Sequence, residues 1–509
     1  MNEKKLKIKE LFDLALQQHE KSNLLYAENI YKKILKLEPN EIATLNNLGN
    51  LLRQLKKYEE AFFYYEKALK IKPQDLITNY NVGLLFYRHQ KFEKSVNFFK
   101  NVIKSDPKHI LSYHCLMDIY EITNDTENLE KIITEAKKFL KNNFIVKLYE
   151  GILLYKNEKF NDAINNLESF SFDAKEIKKE QIKFYTLGKC YDRIQSPDKA
   201  MSYFKKANDI CFQLKHNNVD KNLYLNEIKK RSIFFSSIKK EESFLMEVPD
   251  LQNNPIFMIG FPRSGTTLLD TLLRSHSLIE VIEEKTMVNK LTDSIKKLTK
   301  NNFENFNEIE INQIDEIRNI YFKNLDFYIQ NKNESKIYID KLPLNIIHVG
   351  EILKIFPRAK FIFSLRHPCD SVLSCFMQFF IINNAMANFF NLDDSVKLYD
   401  HIMKLWIQYK TILPINYHEV RYENLVENLE LTLKSLLQFL ELEFESPMKE
   451  FYKTAKEREK IHTPSYSQVV KPLYSSSVNK HLNYYDNMKN IVPEIKKWIS
   501  YFSYNLPTP

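Results

Sequence analysis

Glycine is scarce in this chain, seven residues in 509, so each position that keeps one is informative. Cysteine is scarce too. The five residues Cys115, Cys190, Cys211, Cys369 and Cys375 form no CxxC, which argues against a zinc site or a disulfide framework and for free buried thiols in a reducing compartment. No apolar run approaches the roughly 18 residues that span a bilayer. The nearest, "SCFMQFFIINNAMANFF", is broken by Gln and Asn. The opening "MNEKKLKIKELFDLALQQHE" is charged throughout and lacks the apolar core of a secretory signal, so a cytoplasmic protein is expected. There is no long block of one charge, and 74 Lys+Arg stand against 65 Asp+Glu. Nucleic acid is therefore not the expected partner, although the modest basic surplus suits an anionic ligand. A carboxylate cluster of the kind that holds a divalent metal is not apparent, and no metal is expected.

What is present falls into two patterns. Pro39, Pro73 and Pro107 are spaced by 34 residues, and at the same step Leu14, Leu48, Val82 and Leu116 fall into register. The unit "LNNLGNLLRQLKKYEEAFFYYEKALKIKPQD" matches the tetratricopeptide repeat, a pair of antiparallel helices. Gly49 with Ala61 lets two helices approach closely, and Gly83 with Ser95, Gly151 with Ala163 and Gly188 with Ala200 repeat the relation. Residues 1–214 are thus expected to form an α-helical solenoid of about five or six repeats. Its concave surface would recognise a protein or peptide; alternatively the repeats dimerise the chain or brace the neighbouring domain. Residues 215–254 lose the period and read as a connecting helix and linker.

From 255 to 509 strands and helices alternate. "IFMIG" and "AKFIFSLR" read as strands, "IYID" and "YHEVRY" as weaker ones, and the alternation argues for an α/β domain with a central parallel sheet. Ligands bind such sheets at the carboxyl ends of the strands. After the first strand, Gly260 to Gly265 has the GxxxxG spacing of a nucleotide phosphate loop, but Thr266-Thr267 stand where that motif requires Lys-Ser/Thr. Leu268, Leu269, Leu272 and Leu273 then mark a helix whose free amides and positive end make an anion site, with Arg263 adding a planar charge. The second strong strand ends in "SLRHPCDSVLSCF", where Arg366 and Ser374 form a second such pair. Together they point to a ligand with two separated anionic groups.

"PRSGTTLL" with "LRHPCDSVLS" resembles the sulfotransferase family, whose donor is 3′-phosphoadenosine 5′-phosphosulfate (PAPS). The resemblance covers roughly residues 255–502 and is strongest toward the tyrosylprotein sulfotransferase branch. It implies sulfuryl transfer to an acceptor hydroxyl, of a protein tyrosine or a carbohydrate, without a metal. By resemblance Arg263, Ser264, Gly265, Thr266 and Thr267 hold the 5′-phosphosulfate, and Arg366, Ser374 and Lys480 the 3′-phosphate, with Tyr422 on the nucleotide. Glu284 falls where that branch keeps its catalytic base, with Glu283 beside it as a competitor. Lys341 and Ser465 match residues that stabilise the transferring group. Two positions depart from the branch: His367 follows Arg366 where an acidic residue or Asn is more usual, and Gln378 replaces an arginine. The alternatives are an ATP-dependent phosphotransferase, disfavoured by the missing lysine and metal ligands, and an inactive scaffold.

Overall fold

Small residues recur in the N-terminal sequence because helices there must touch. A Cβ on Gly49 would lie 2.4 Å from the Tyr65 ring, so the helix of one meets the aromatic of the other with no room to spare. The computed structural model, which describes residues 3–238, 251, 254–329, 333, 336–457, 473 and 477–507, shows two units, Met1–Lys175 and Glu176–Pro509.

The first unit is a run of helix pairs. These are α1 Glu3–Glu20 with α2 Leu24–Leu37, α3 Ile42–Gln54 with α4 Tyr58–Ile71, α5 Leu76–Arg88 with α6 Phe92–Ser105, α7 Ile110–Ile122 with α8 Thr126–Phe139, and α9 Phe144–Lys156 with α10 Phe160–Glu168. Within each pair the turn is made by a residue of positive φ: Ser22, Lys56, Gln90, Asn124 and Glu158. These five share a backbone conformation and the 34-residue period but no side-chain type, so the turn follows from the helix packing around it. Alanines, leucines and aromatics from successive helices, among them Ala27, Tyr31, Leu48, Ala61 and Tyr65, form a continuous buried layer.

The second unit opens with one further pair, α11 Ile177–Arg193 and α12 Pro197–Lys215, and then α13 Lys221–Ser237. The division at Lys175 falls ahead of the boundary expected at 214, since α11 and α12 hydrogen-bond to C-terminal segments: Asn208 donates to the Phe376 carbonyl at 3.0 Å and Asn487 to Asp198 at 2.9 Å. The connecting helix α13 is itself fastened down. Arg231, wholly buried, meets Glu351 at 2.7 Å, and Phe235 fills the space left by Gly350, where a Cβ would come within 2.1 Å of its ring.

The sheet has five parallel strands in the order β2-β3-β1-β4-β5: β1 Ile256–Gly260, β2 Ile279–Glu283, β3 Ile337–Lys341, β4 Lys360–Leu365 and β5 Asn416–Arg421. The four expected strands are present, and β2 is an addition. Glu280 breaks its short apolar run, and its strand character comes from pairing with β3 along its whole length. Helices α14 Thr266–Arg274, α15 Met287–Leu298, α16 Ile311–Tyr328, α17 Val349–Ile355, α18 Pro368–Phe376 and α19 Leu392–Ile412 connect the strands. One core joins α14 to the sheet through Leu269, Leu272, Leu273, Met258, Val281, Ile339 and Ile362. After β1 the chain leaves toward β2 and β3, and after β4 toward β5, so the strand order reverses between β1 and β4. That is where open α/β sheets bind ligands.

Candidate functional site

All five strands end on one edge, and each delivers a residue singled out in the sequence: the Gly260–Gly265 loop from β1, Glu284 after β2, Lys341 closing β3, Arg366 after β4, and Tyr422 after β5. Parallel register fixes this, with Gly260 opposite Ser364 and Glu283 opposite Lys341.

The β1 loop is drawn tightly onto β4. A side chain at Gly260 would lie 2.5 Å from the Ser364 carbonyl oxygen, and the Ser364 hydroxyl donates to the Ser264 carbonyl at 2.9 Å. Gly265 takes a φ of 96° as the N-terminal boundary of α14, and a Cβ there would come within 2.6 Å of the Tyr422 ring. That conformation favours glycine. It leaves the first amides of α14, at Thr266 and Thr267, pointing toward the loop without a side-chain cap. Arg263 sits in the left-handed region, φ 69°, with its Nε donating to the Ser374 hydroxyl at 3.0 Å.

Arg366 is buried. Its Nη1 donates to the Arg263 carbonyl at 3.1 Å, its Nη2 donates to the Ser477 carbonyl at 2.5 Å, and its guanidinium lies 4.9 Å from the Tyr422 ring centre. The two loops are therefore one site. Ser374, expected to act with Arg366, is held by Arg263 instead. Two buried groups, Ser264 Oγ and Arg366 Nε, make no hydrogen bond among the described residues. Buried donors are seldom left so, and here both belong to the surfaces expected to meet phosphate oxygens.

His367 does not add charge beside Arg366. Its Nδ1 accepts from the Cys369 amide at 3.2 Å, capping α18, and its Nε2 donates to the Asn505 carbonyl at 3.1 Å. Both nitrogens are used by the neutral ring. Burial above all, then the neighbouring His481, pushes its pKa down to about 4. It thus fills the cap position in the way an Asn would. His481 stacks on it at 3.9 Å and donates from Nδ1 and its amide to Asp370.

At the other end of the edge, Lys341 is wholly buried, with Glu284 at 3.2 Å, Glu283 at 3.3 Å and Asp270 of α14 at 4.0 Å. Burial alone would lower the pKa of the ammonium, but the three carboxylates outweigh it and hold the value above that of an ordinary lysine. The two glutamates part company here. Glu283 is 4% exposed and turned into the sheet edge, whereas Glu284 is 39% exposed. Glu284 donates its amide to the Lys341 carbonyl at 2.8 Å and then turns through a φ of 49°. A bulky residue at positive φ is conformationally costly. Arg263 shares the feature.

Lys480 lies in a turn, Lys480–Tyr484, and its Nζ meets Asp192 of α11 at 2.7 Å. Gln378 donates weakly to Tyr185 of the same helix at 3.3 Å. Ser465 lies outside the described residues. Sequence reasoning missed Asp270, Asp192 and Ser477. Asp270 had left a signal, a lone acid inside the apolar "TTLLDTLL", which a buried cation must balance. The other two had none, because they meet the site only through tertiary contacts.

Residues 255–446 match the sulfotransferase family, and residues 42–75 and 184–213 match the tetratricopeptide repeat. The chain carries a sulfotransferase-family domain. An uncharacterised protein of Aquifex aeolicus (strain VF5) is 34% identical over 238 residues, covering 45% of this chain and 30% of that protein, so the match spans less than a third of the relative's length. Solved structures similar to part of this chain include the sulfotransferase domain of the Synechococcus PCC 7002 olefin synthase, 20% identical across 51% of this chain and 99% of that one with a TM-score of 0.36. Another is the sulfotransferase domain of the curacin biosynthetic pathway, 19% identical across 51% and 100%, TM-score 0.34. A tetratricopeptide repeat protein from Parabacteroides merdae is similar over 44% of this chain, at 18% identity and a TM-score of 0.35. No helix among the described residues is long and apolar enough to cross a membrane, and no group of metal-ligating side chains is found among them.

Proposed function

We propose that the sulfotransferase-family domain transfers a sulfuryl group from PAPS to an acceptor hydroxyl. The observation that carries this reading is the joining of two cationic loops at the strand-order reversal, with Arg366 donating to the Arg263 carbonyl and two buried donors left open beside them. PAPS, when bound, supplies a sulfuryl group activated by its bond to the 5′-phosphate. Arg263, Ser264, Gly265 and the α14 amides at Thr266 and Thr267 bind the phosphosulfate end. Arg366, Ser374, Tyr422 and Lys480 bind the nucleotide and its 3′-phosphate.

Glu284 takes the proton from the acceptor hydroxyl as the new O–S bond forms and the old one breaks, its bonding pair leaving on the phosphate. Its exposure favours it over Glu283, which is committed to Lys341 in the interior. Lys341 and Arg263 offset negative charge on the transferring group and the departing phosphate. Acceptors in keeping with this chemistry are a protein tyrosine or a carbohydrate hydroxyl, with the repeats of the first unit offering a surface to a protein or peptide.

Thermal melting with 3′,5′-ADP, with ATP–Mg²⁺ and with neither tests the donor. Stabilisation by 3′,5′-ADP is expected, on the order of a few kcal/mol at saturation. Stabilisation by ATP–Mg²⁺ alone would instead support a phosphotransferase, and by neither an inactive scaffold. A screen of hydroxyl acceptors with labelled donor then identifies the substrate.

A further inference from the structure

The last helix pair, α11 and α12, touches the site through one carboxylate. Asp192, near the C-terminal end of α11, accepts from Lys480 Nζ with one oxygen and from the Tyr484 hydroxyl with the other, each at 2.7 Å. Both donors lie on the single turn Lys480–Tyr484. The same stretch meets the donor loops on its other side: the Ser477 carbonyl receives Arg366, the His481 amide and ring donate to Asp370, and the His481 ring stacks on His367. A second tie, from Asn487 to Asp198 of α12, holds the following residues at 2.9 Å. The same pair also braces the end of α18 and the residues after it, where Asn208 donates to the Phe376 carbonyl and Tyr185 receives Gln378.

We propose that Asp192 is a positioning residue for the donor site: this helical repeat acts as a wall of the sulfotransferase-family domain, setting Lys480 and the backbone of residues 477–481 against Arg366. This rests on the donor reading given above. The chemistry is that of a bidentate carboxylate. An ammonium has three donors, so one hydrogen bond to Asp192 fixes the direction of Lys480 and leaves others for an anion. The Tyr484 hydroxyl, bound to the second oxygen, prevents the turn from rotating away. Burial and the Asp192 charge both raise the pKa of that hydroxyl, so it remains a donor throughout the working pH range.

The test is calorimetric titration of the full chain with 3′,5′-ADP, beside melting curves and donor kinetics. In Asp192→Asn an amide replaces one carboxylate oxygen and faces Lys480 or Tyr484 donor to donor. The loss of a charge-assisted hydrogen bond predicts affinity weaker by about tenfold or more. The donor KM should rise while kcat changes little, and Asp192→Glu should recover part of the affinity. Tyr484→Phe, which leaves the charge pair intact, should weaken binding less. In a Lys480→Met background Asp192→Asn should cost less than it does alone, because the residue it positions is gone. Equal affinity in wild type and Asp192→Asn overturns the proposal, as does loss of binding that only follows a collapse of the melting temperature in both variants. Absence of binding by the wild type refutes the donor reading instead, so the two failures are distinguishable.

Discussion

Replacing Lys341 by methionine keeps the length of the side chain and removes its charge. In the folded protein that ammonium is buried among Glu284 at 3.2 Å, Glu283 at 3.3 Å and Asp270 at 4.0 Å. Asp270 retains Arg274 as a partner, and Glu284 has access to water. Glu283, 4% exposed, loses its nearby cation while staying in the interior. Breaking a buried ion pair from one side costs about 3–5 kcal/mol. For a unit the size of Glu176–Pro509, a melting entropy of about 2.1 cal/mol/K per residue converts this to a loss of roughly 4–7 °C.

The pH dependence gives a second check. Lys341 has its pKa raised by folding, so its stabilising contribution is complete below the ordinary lysine range and disappears only as the pH climbs through the folded value. The deficit of Lys341→Met is therefore fully present at about pH 8 and stays so at about pH 6, both below the ordinary lysine range. Differential scanning calorimetry of both proteins at the two pH values measures it. An unchanged melting temperature at the higher pH, or a deficit that changes on acidification, would refute the reasoning.

The remaining predictions concern single side chains. Glu284→Gln should abolish sulfuryl transfer while leaving 3′,5′-ADP affinity within about twofold, since the amide keeps the shape but accepts no proton; surviving turnover would move the base elsewhere. Arg366→Ala should weaken 3′,5′-ADP binding by about tenfold or more, measured by calorimetry, through loss of charge-assisted hydrogen bonds. Unchanged affinity would remove Arg366 from the phosphate site. His367, with a folded pKa of about 4 against an ordinary 6.5, stabilises the fold above the higher value and loses that contribution as the pH falls toward the lower one. His367→Asn keeps a cap for α18 without a titrating ring, so its stability should fall less over that window. An acid limb identical to that of the wild type would show that His367 does not titrate as described.

Periodicity carried the N-terminal half. Small residues recurring at a 34-residue step, Gly49 with Gly83 and Ala27 with Ala61 and Ser95, mean helices in van der Waals contact, and that is a local property which the chain states by itself. The phosphate-type loop was equally legible, because glycines at 260 and 265 answer a steric demand that few other residues can meet. The strand β2 was not, since five residues containing two glutamates have strand character only while β3 pairs with them. Nor could the sequence choose between Glu283 and Glu284. Adjacent residues share their neighbours in the chain, and only the fold, which ends β2 at Glu283 and turns the backbone through a positive φ at Glu284, separates a buried carboxylate from an exposed one.

The sequence by itself determined the repeat, the α/β domain and the residue types gathered at the strand ends, because helix packing, strand period and tight turns are encoded over short spans. Tertiary structure alone decided the partnerships. Ser374 went to Arg263, Lys480 to Asp192 and Lys341 to three acids, because charged groups taken out of water must be neutralised by whatever the fold brings within reach. Those neighbours come from positions far along the chain, and sequence distance carries no record of them.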